Sequence, residues 1–323
     1  MKNLQAVGIG HPTADLLINI DKLPTRDQDA QLMDISYQYG GKVPTAMAAL
    51  GRLGVACGCI GVVGNDDEGR AVCADLVRNG VDAGHMVTLD QPGTSLNVAL
   101  SEVRGGRNII KRARGLRGVE PGDLDKDYIS QARVLHLSRA GEAERLAAGW
   151  MHEVGGIVAF DADGYTPEIE AMLGSIDAFI ASEFYYTKRY GDRDIEACCR
   201  EIAARGPGIV VITLGSRGCV GVQGGQFFRV PVVPVDVVDT TGAGDTFHGA
   251  FLYGLLQGWD AKACAEFSSA VSAHKCAAIG GRAALPSLAM LERFRQDGFI
   301  DREEIERRLA MYSRPHGLQI EQH

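Results

Sequence analysis

The sequence predicts an α/β protein, with a central, mostly parallel sheet flanked by helices and a small β-sheet set apart from it. Three observations lead there. Short β-branched runs alternate with amphipathic, alanine-rich segments along most of the chain, the pattern of strand–helix units that build a covered parallel sheet. Two stretches break this rhythm, alternating polar and apolar residues around internal turns, which suits antiparallel ribbon. Hydrophobic content of 46% with 23% charged residues is that of an ordinary globular chain, and 323 residues suffice for one large domain or two.

In order, "QAVGIG" (5–10) is a first strand, and "LLINIDKLPTRDQDAQLMDISYQYGG" (16–41) is the first ribbon. "TAMAALGRLG" (45–54) has helical spacing and stops at Gly54. "ACGCIGVVG" (56–64) is a strand, and "DEGRAVCADLVRNG" (67–80) is an amphipathic helix closed by a glycine. "TSLNVALSEVRGGRNIIKRARG" (94–115) is the second ribbon. Strand-like "RVLHLS", helical "GEAERLAAGWMHEVG" and strand-like "IVAFDA", "AFIAS" and "GIVVITLG" follow. A ribbon cannot bury both of its faces alone, so the two insertions, at about 16–39 and 95–115, are expected to lie over something as a lid. With no compositional break to mark a linker, residues 1–300 read as one domain and 301–323 as a charged helix and tail.

The bulk numbers exclude some classes. A net charge of −8 argues against a nucleic-acid partner. No apolar run reaches the length of a membrane span, and the first residues lack the pattern of a secretory leader. The eight cysteines form no CxxC pair and read as small buried hydrophobes of a reducing compartment, so a cytoplasmic location is expected.

The chemistry concentrates in "VVDTTGAGDTFHGAF" (237–251), where an apolar run meets Asp239, a Gly-Ala-Gly turn, Asp245 and an apolar helix. A helix start offers unpaired N–H groups and the positive end of the macrodipole, and Gly242 and Gly244 let those amides approach an anion. Asp245 beside such a nest suits a base that accepts a proton from an attacking hydroxyl, as in phosphoryl transfer. A first-turn acid that merely stabilises its helix reads equally well from these residues alone.

"DTTGAGDTFHGAF" resembles the C-terminal signature of the PfkB (ribokinase-like) carbohydrate kinases. "GGKVPTAMAALGRLG" (40–54), "VGNDDEGR" (63–70) and "VITLGSRG" (211–218) resemble further motifs of that family, in its order, so the likeness spans about residues 5–295. It implies the ribokinase-like fold with a β lid and ATP-dependent phosphorylation of a sugar hydroxyl, with Mg²⁺ and, in some members, K⁺. By the resemblance Asp245 is the general base, and Gly242, Ala243 and Gly244 form the anion hole. Asp15 and Asn97 fall on the sugar side, with Gly40, Gly41, Lys42 and Thr45. Ser182, Thr213, Gly215 and Gly218 fall on the nucleotide side. Asp239 and Thr241, with the loop "IGGRAALPS" (279–287), fall where some members hold a monovalent cation.

The chain also departs from its relatives. Thr45 stands where the ribokinase branch carries Asn, which speaks against ribose itself. "SEFY" (182–185) lacks the acid of the family's Asn-x-x-Glu motif, leaving Glu183 as the candidate near Mg²⁺. These features are similar to the ketohexokinase and sulfofructose kinase branch, and so suggest a ketose or substituted sugar. Arg139, after a strand end, and Lys111, Arg112 and Arg114 on the lid are candidates to hold an anionic substituent; a solvated basic turn is the plainer reading of the lid cluster. His11 is placed to touch substrate, His136 reads as a satisfied core histidine, and His248 reads as a packed helix residue. A nucleoside kinase of the same fold and a non-catalytic sugar sensor are the alternatives, and lid ribbons offer edges for a homodimer.

Overall fold

The computed structural model describes residues 4–102, 107–112 and 115–312. The first half runs β1 (Ala6–Ile9), β2 (Thr13–Ile20), β3 (Leu32–Gly40), α1 (Lys42–Arg52), β4 (Cys57–Ile60), β5 (Val62–Gly64) and α2 (Asp67–Arg78). It continues with β6 (Val81–Asp82), β7 (Val87–Leu89), β8 (Leu96–Glu102), β9 (Arg107–Arg112), α3 (Lys126–Ile129), β10 (Val134–Leu137) and α4 (Glu142–Glu153). The second half runs β11 (Ile157–Ala162), α5 (Pro167–Met172), β12 (Ala178–Ser182), α6 (Glu183–Tyr190), α7 (Ile195–Ala203) and β13 (Ile209–Thr213). Last come β14 (Cys219–Gln223), β15 (Gln226–Val230), α8 (Ala243–Leu256), α9 (Ala261–Lys275), α10 (Leu288–Asp297) and α11 (Arg302–Ala310).

Among the described residues the large sheet has nine strands in the order β15–β14–β13–β12–β11–β10–β1–β4–β6. All are parallel except β14 and β15, which close one edge as antiparallel strands. The continuous apolar runs of β1, β10 and β12 are explained by helices on both faces. One face packs Ala147, Met151, Phe160, Phe179, Tyr185 and Cys198. The other packs Met47, Leu50, Leu76, Phe251, Leu252 and Cys264 beneath α1, α2, α8 and α9. The eight cysteines are free, and all but Cys73 are buried. No helix among the described residues is long and apolar enough to cross a membrane.

A separate four-stranded sheet has the order β3–β2–β8–β9. Both ribbons are antiparallel within themselves, β2 with β3 and β8 with β9, but they join side by side as parallel strands, β2 with β8. That central pairing links residues some 80 positions apart, so neither ribbon alone announces it. Leu17, Ala99 and Ile279 form the apolar seam under this sheet, with Leu309 of α11 packed against it.

Candidate active site

The two halves of the large sheet grow in opposite directions from β1. The chain goes from β1 to β4 and β6 on one side, then returns to β10 to β13 on the other. Ligands of open α/β sheets bind at the carboxyl ends of strands beside such a switch point. His11 follows β1 and Arg139 follows β10, so both stand at it. Asp161 and Asp163, Ser182, and Thr213 with Gly215 continue the same edge, at the ends of β11, β12 and β13.

The small sheet carries residues expected on the sugar side. Register places Asp15 opposite Asn97, and the Asn97 amide donates to Asp15 Oδ1 at 2.8 Å, as does the Thr13 hydroxyl at 2.9 Å. Gly40 lies so close that a Cβ there would sit 1.9 Å from Asp15 Oδ2. Gly41 turns the chain into α1 at φ 92°, where its Cβ would meet the His11 carbonyl at 2.2 Å. That bend delivers Lys42, whose Nζ lies 3.1 Å from Asp163 Oδ2. Burial pulls the Lys42 amine down, but Asp161 and Asp163 outweigh it and hold it above its ordinary value. His11 shares a 2.9 Å hydrogen bond with the Ser95 hydroxyl, and burial, then Arg139, push its imidazole below its ordinary value. Arg139 is exposed and forms no ion pair among the described residues. Arg114 lies outside the described residues, as do the side chains of Lys111 and Arg112.

Gly242 is the N-cap of α8, in the left-handed region at φ 73°, with no side-chain cap. A Cβ there would stand 2.9 Å from Gly281 Cα, so the two loops touch backbone to backbone. Gly244 is exposed with open space around it, and the Ala243 amide donates to the Thr240 carbonyl at 3.1 Å. Asp245 is partly buried in this first turn, and among the described residues its carboxylate takes no hydrogen bond. The helix start favours its anion, yet burial and then Asp161 push the carboxyl up to about 7. Asp245 is thus an acid of the first turn of α8 rather than its hydrogen-bonding cap. Asp161 is itself buried and raised, and its Oδ1 lies 3.5 Å from His248 Nε2. Burial holds His248 at about 3, and His136 likewise, with the two rings 5.3 Å apart. His136 is therefore a neutral core residue, but its ring nitrogens find no partner in hydrogen-bond geometry.

On the nucleotide side, Ser182 caps α6, donating to the Asp163 carbonyl at 3.0 Å and accepting from the Tyr185 amide at 3.4 Å. Thr213 donates to the Ala181 carbonyl at 3.3 Å, and Gly215 and Gly218 bound a tight turn closed by the 2.8 Å bond from the Leu214 amide to the Gly218 carbonyl. Glu183 is engaged by Arg217 rather than turned to the acids of the cleft.

Behind the anion hole, Asp239 stitches its own loop to the next. Its Oδ1 accepts the Thr241 amide at 2.9 Å and the Thr241 hydroxyl at 2.8 Å, and its Oδ2 accepts the Gly280 amide at 2.8 Å. Thr45, expected on the sugar side, is buried, and its hydroxyl accepts from Arg282 Nε at 3.3 Å. Arg282 is wholly buried, donating also to the Gly40 carbonyl at 2.9 Å and to Asp75 Oδ2 at 2.7 Å. Tyr312 donates to Asp75 Oδ1 at 2.8 Å, and Arg308 donates to the Arg282 carbonyl at 2.8 Å and to Asn79 at 2.9 Å. Asp161, Asp163, Lys275 and Arg282 went unnoticed in the sequence because each sits in an unremarkable strand, helix or loop. The one available signal was Asp161 as the only charge in an apolar strand.

The arrangement offers a hydrogen-bonded carboxylate, Asp15, on the small sheet, and a carboxylate of raised pKa, Asp245, beside the glycine turn. No group of three metal-ligating side chains gathers among the described residues. A model of the pfkB family carbohydrate kinases matches residues 3–288. The chain is 28% identical to a 5-dehydro-2-deoxygluconokinase of Geobacillus kaustophilus (strain HTA426), over 91% of this chain and 94% of that one. It is 32% identical to a fructoselysine 6-kinase of Escherichia coli (strain K12), over 68% and 82%. A putative ribokinase II of E. coli, solved in complex with ATP and Mg²⁺, superposes with a TM-score of 0.79 at 22% identity, covering 91% of this chain and 99% of that one. With the fold, the cleft and these likenesses in agreement, the chain belongs to the pfkB family of carbohydrate kinases.

Proposed function

We propose that the protein transfers the γ-phosphoryl group of ATP to a hydroxyl of a small sugar, a ketose or a sugar carrying an anionic substituent. The observation that carries this reading is Asp245, an unbonded carboxylate raised to about 7 beside the Gly242–Gly244 turn. Asp245 accepts the proton of the attacking hydroxyl, and the amides of the Gly242–Gly244 turn hold the charge that develops on the transferred group, that of Ala243 by exchanging its 3.1 Å bond to the Thr240 carbonyl. Asp15 and Asn97, with the Gly40–Gly41 backbone, orient the sugar, and Lys42 draws an anionic group toward the junction. Arg139 and His11, at the switch point, are placed to receive a carboxylate, phosphate or sulfonate on the sugar. Ser182, Thr213, Gly215 and Gly218 bound the nucleotide end. Mg²⁺, when bound, supplies charge neutralisation on the phosphates. The scattered single carboxylates, Asp163 paired with Lys42 and Glu183 with Arg217, suit an ion kept mainly by phosphate and water. The small sheet closes over the sugar and excludes water, and its edge strands are where a second copy would pair.

The test is ATP consumption screened against neutral ketoses, sugar acids, phosphosugars, sulfosugars and nucleosides. One sugar is expected to stand out, with turnover lost in Asp245→Asn and with Arg139→Ala raising KM for the anionic substrate alone. Full turnover by Asp245→Asn would sink the mechanism. Saturable sugar binding with no ATP consumption would make the protein a sensor.

A further inference from the structure

We propose that the side-chain ammonium of Lys275 is a built-in cation, standing behind the anion hole in the place that the family resemblance gives to a monovalent ion. The protein then works without K⁺, an inference that rests on the phosphotransferase reading above.

Lys275 is the last residue of α9 and is wholly buried. Its Nζ donates to the Asp239 carbonyl at 2.8 Å. The residues expected to coordinate an ion are otherwise engaged. The Asp239 carboxylate accepts two donors from Thr241 and one from Gly280, so its oxygens already bind the two loops together. An ion entering here would have to compete with a fixed positive charge for the same carbonyl oxygen. The donor set therefore does not fit a further cation.

The placement also explains how a charged amine tolerates burial. A helix C-terminus favours a cation, and an ionised carboxylate stands close by. Burial pushes Asp239 up, but Lys275 and the Gly280 and Thr241 donors outweigh it and hold the carboxyl below its ordinary value. A buried charge survives where it is paired and hydrogen-bonded. The held loop, Asp239 to Gly242, ends in the left-handed residue that aims the first amides of α8. Ser272, one turn before Lys275 on α9, donates to the Ala243 carbonyl at 3.0 Å, so the same helix also grips the anion hole directly. A bound ion would give this loop positive charge and rigidity, and a tethered ammonium gives both without an equilibrium of dissociation.

The experiment uses the full chain in K⁺-free tetramethylammonium buffer, titrated with KCl at constant ionic strength, and reads both turnover and the thermal midpoint. Wild type is expected to show no K⁺-specific change in either. Lys275→Met is expected to lose about 10²-fold in kcat and to acquire a saturable, K⁺-specific rise in the midpoint that wild type lacks. Saturable K⁺ activation or K⁺-specific stabilisation of wild type overturns the proposal. So does a Lys275→Met protein with unchanged kcat and no response to K⁺. If Lys275→Met does not fold, the wild-type titration decides by the same criterion. If no sugar is phosphorylated, the kinase reading fails on the turnover arm, while the thermal midpoint still reports whether K⁺ has a site.

Discussion

Replacing Asp245 by asparagine is expected to abolish turnover and, above neutral pH, to make the fold more stable. The folded carboxyl titrates at about 7 instead of its ordinary 3.8. Between those values the folded protein keeps a proton that the unfolded chain has released, so wild-type stability falls as pH rises through this window. About 3 pKa units at about 1.4 kcal/mol each set a ceiling near 4 kcal/mol. Water reaches the side chain from the cleft, and part of the shift belongs to the pairing with Asp161, so about 1–2 kcal/mol is the expected gain at the plateau. Asparagine is neutral in both states and escapes the penalty at a similar size. Urea unfolding of both proteins at pH 5 and pH 8.5 measures it. The gain should be at least twice as large at the higher pH, with a midpoint rise of about 2–4 °C. An asparagine variant no more stable than wild type at pH 8.5, or equally stabilised at both pH values, would refute the electrostatic account. A variant stabilised as described but fully active would refute the catalytic one.

Three further outcomes follow from the site. Gly242→Ala places a Cβ 2.9 Å from Gly281 Cα at a φ of 73°, and steady-state kinetics should show kcat down about 10²-fold with the sugar KM little changed. Asp15→Ala removes the charged acceptor of Asn97 and Thr13, and should raise the sugar KM by about 10–100-fold while leaving the KM for ATP in place. Arg282→Met breaks a wholly buried ion pair with Asp75 and should cost about 3–5 kcal/mol in urea melts. Adding Asp75→Asn should then cost less than it does alone, because the two residues act as one unit.

What the sequence disclosed about this molecule follows the range of the interactions involved. The strands of the large sheet are short, apolar and β-branched, so local pattern alone marks them. Gly242 and Asp245 are legible for a similar reason, since turn, amides and acid lie within four residues of one another. The parallel joining of β2 to β8 was not legible, because antiparallel ribbons carry no mark of how they meet. For Thr45 the motif pointed to the sugar, and it carried no sign that the hydroxyl also accepts a bond from Arg282, 237 positions away. Nothing near Lys275 in the sequence marks it out, and nothing near Asp161 but its place as the only charge in an apolar strand. Their meaning comes from Asp239 and Asp245, which are brought to them by folding rather than by spacing.

The buried chain of Asp75, Arg282, Arg308 and Tyr312 has a consequence for how the protein is made. A ribosome releases Asp75 long before Tyr312, which lies 237 residues further on. Until Arg282 and Tyr312 emerge, an acid destined for a dry interior has only the guanidinium of Arg78, three residues on, to meet, and the Gly40 carbonyl and the Thr45 hydroxyl wait with it. Contacts of such long range form late and slowly, and apolar surface stays open meanwhile. The Gly40–Thr45 turn into α1 is therefore completed last, and the nascent polypeptide carries that loop unfinished through most of its synthesis.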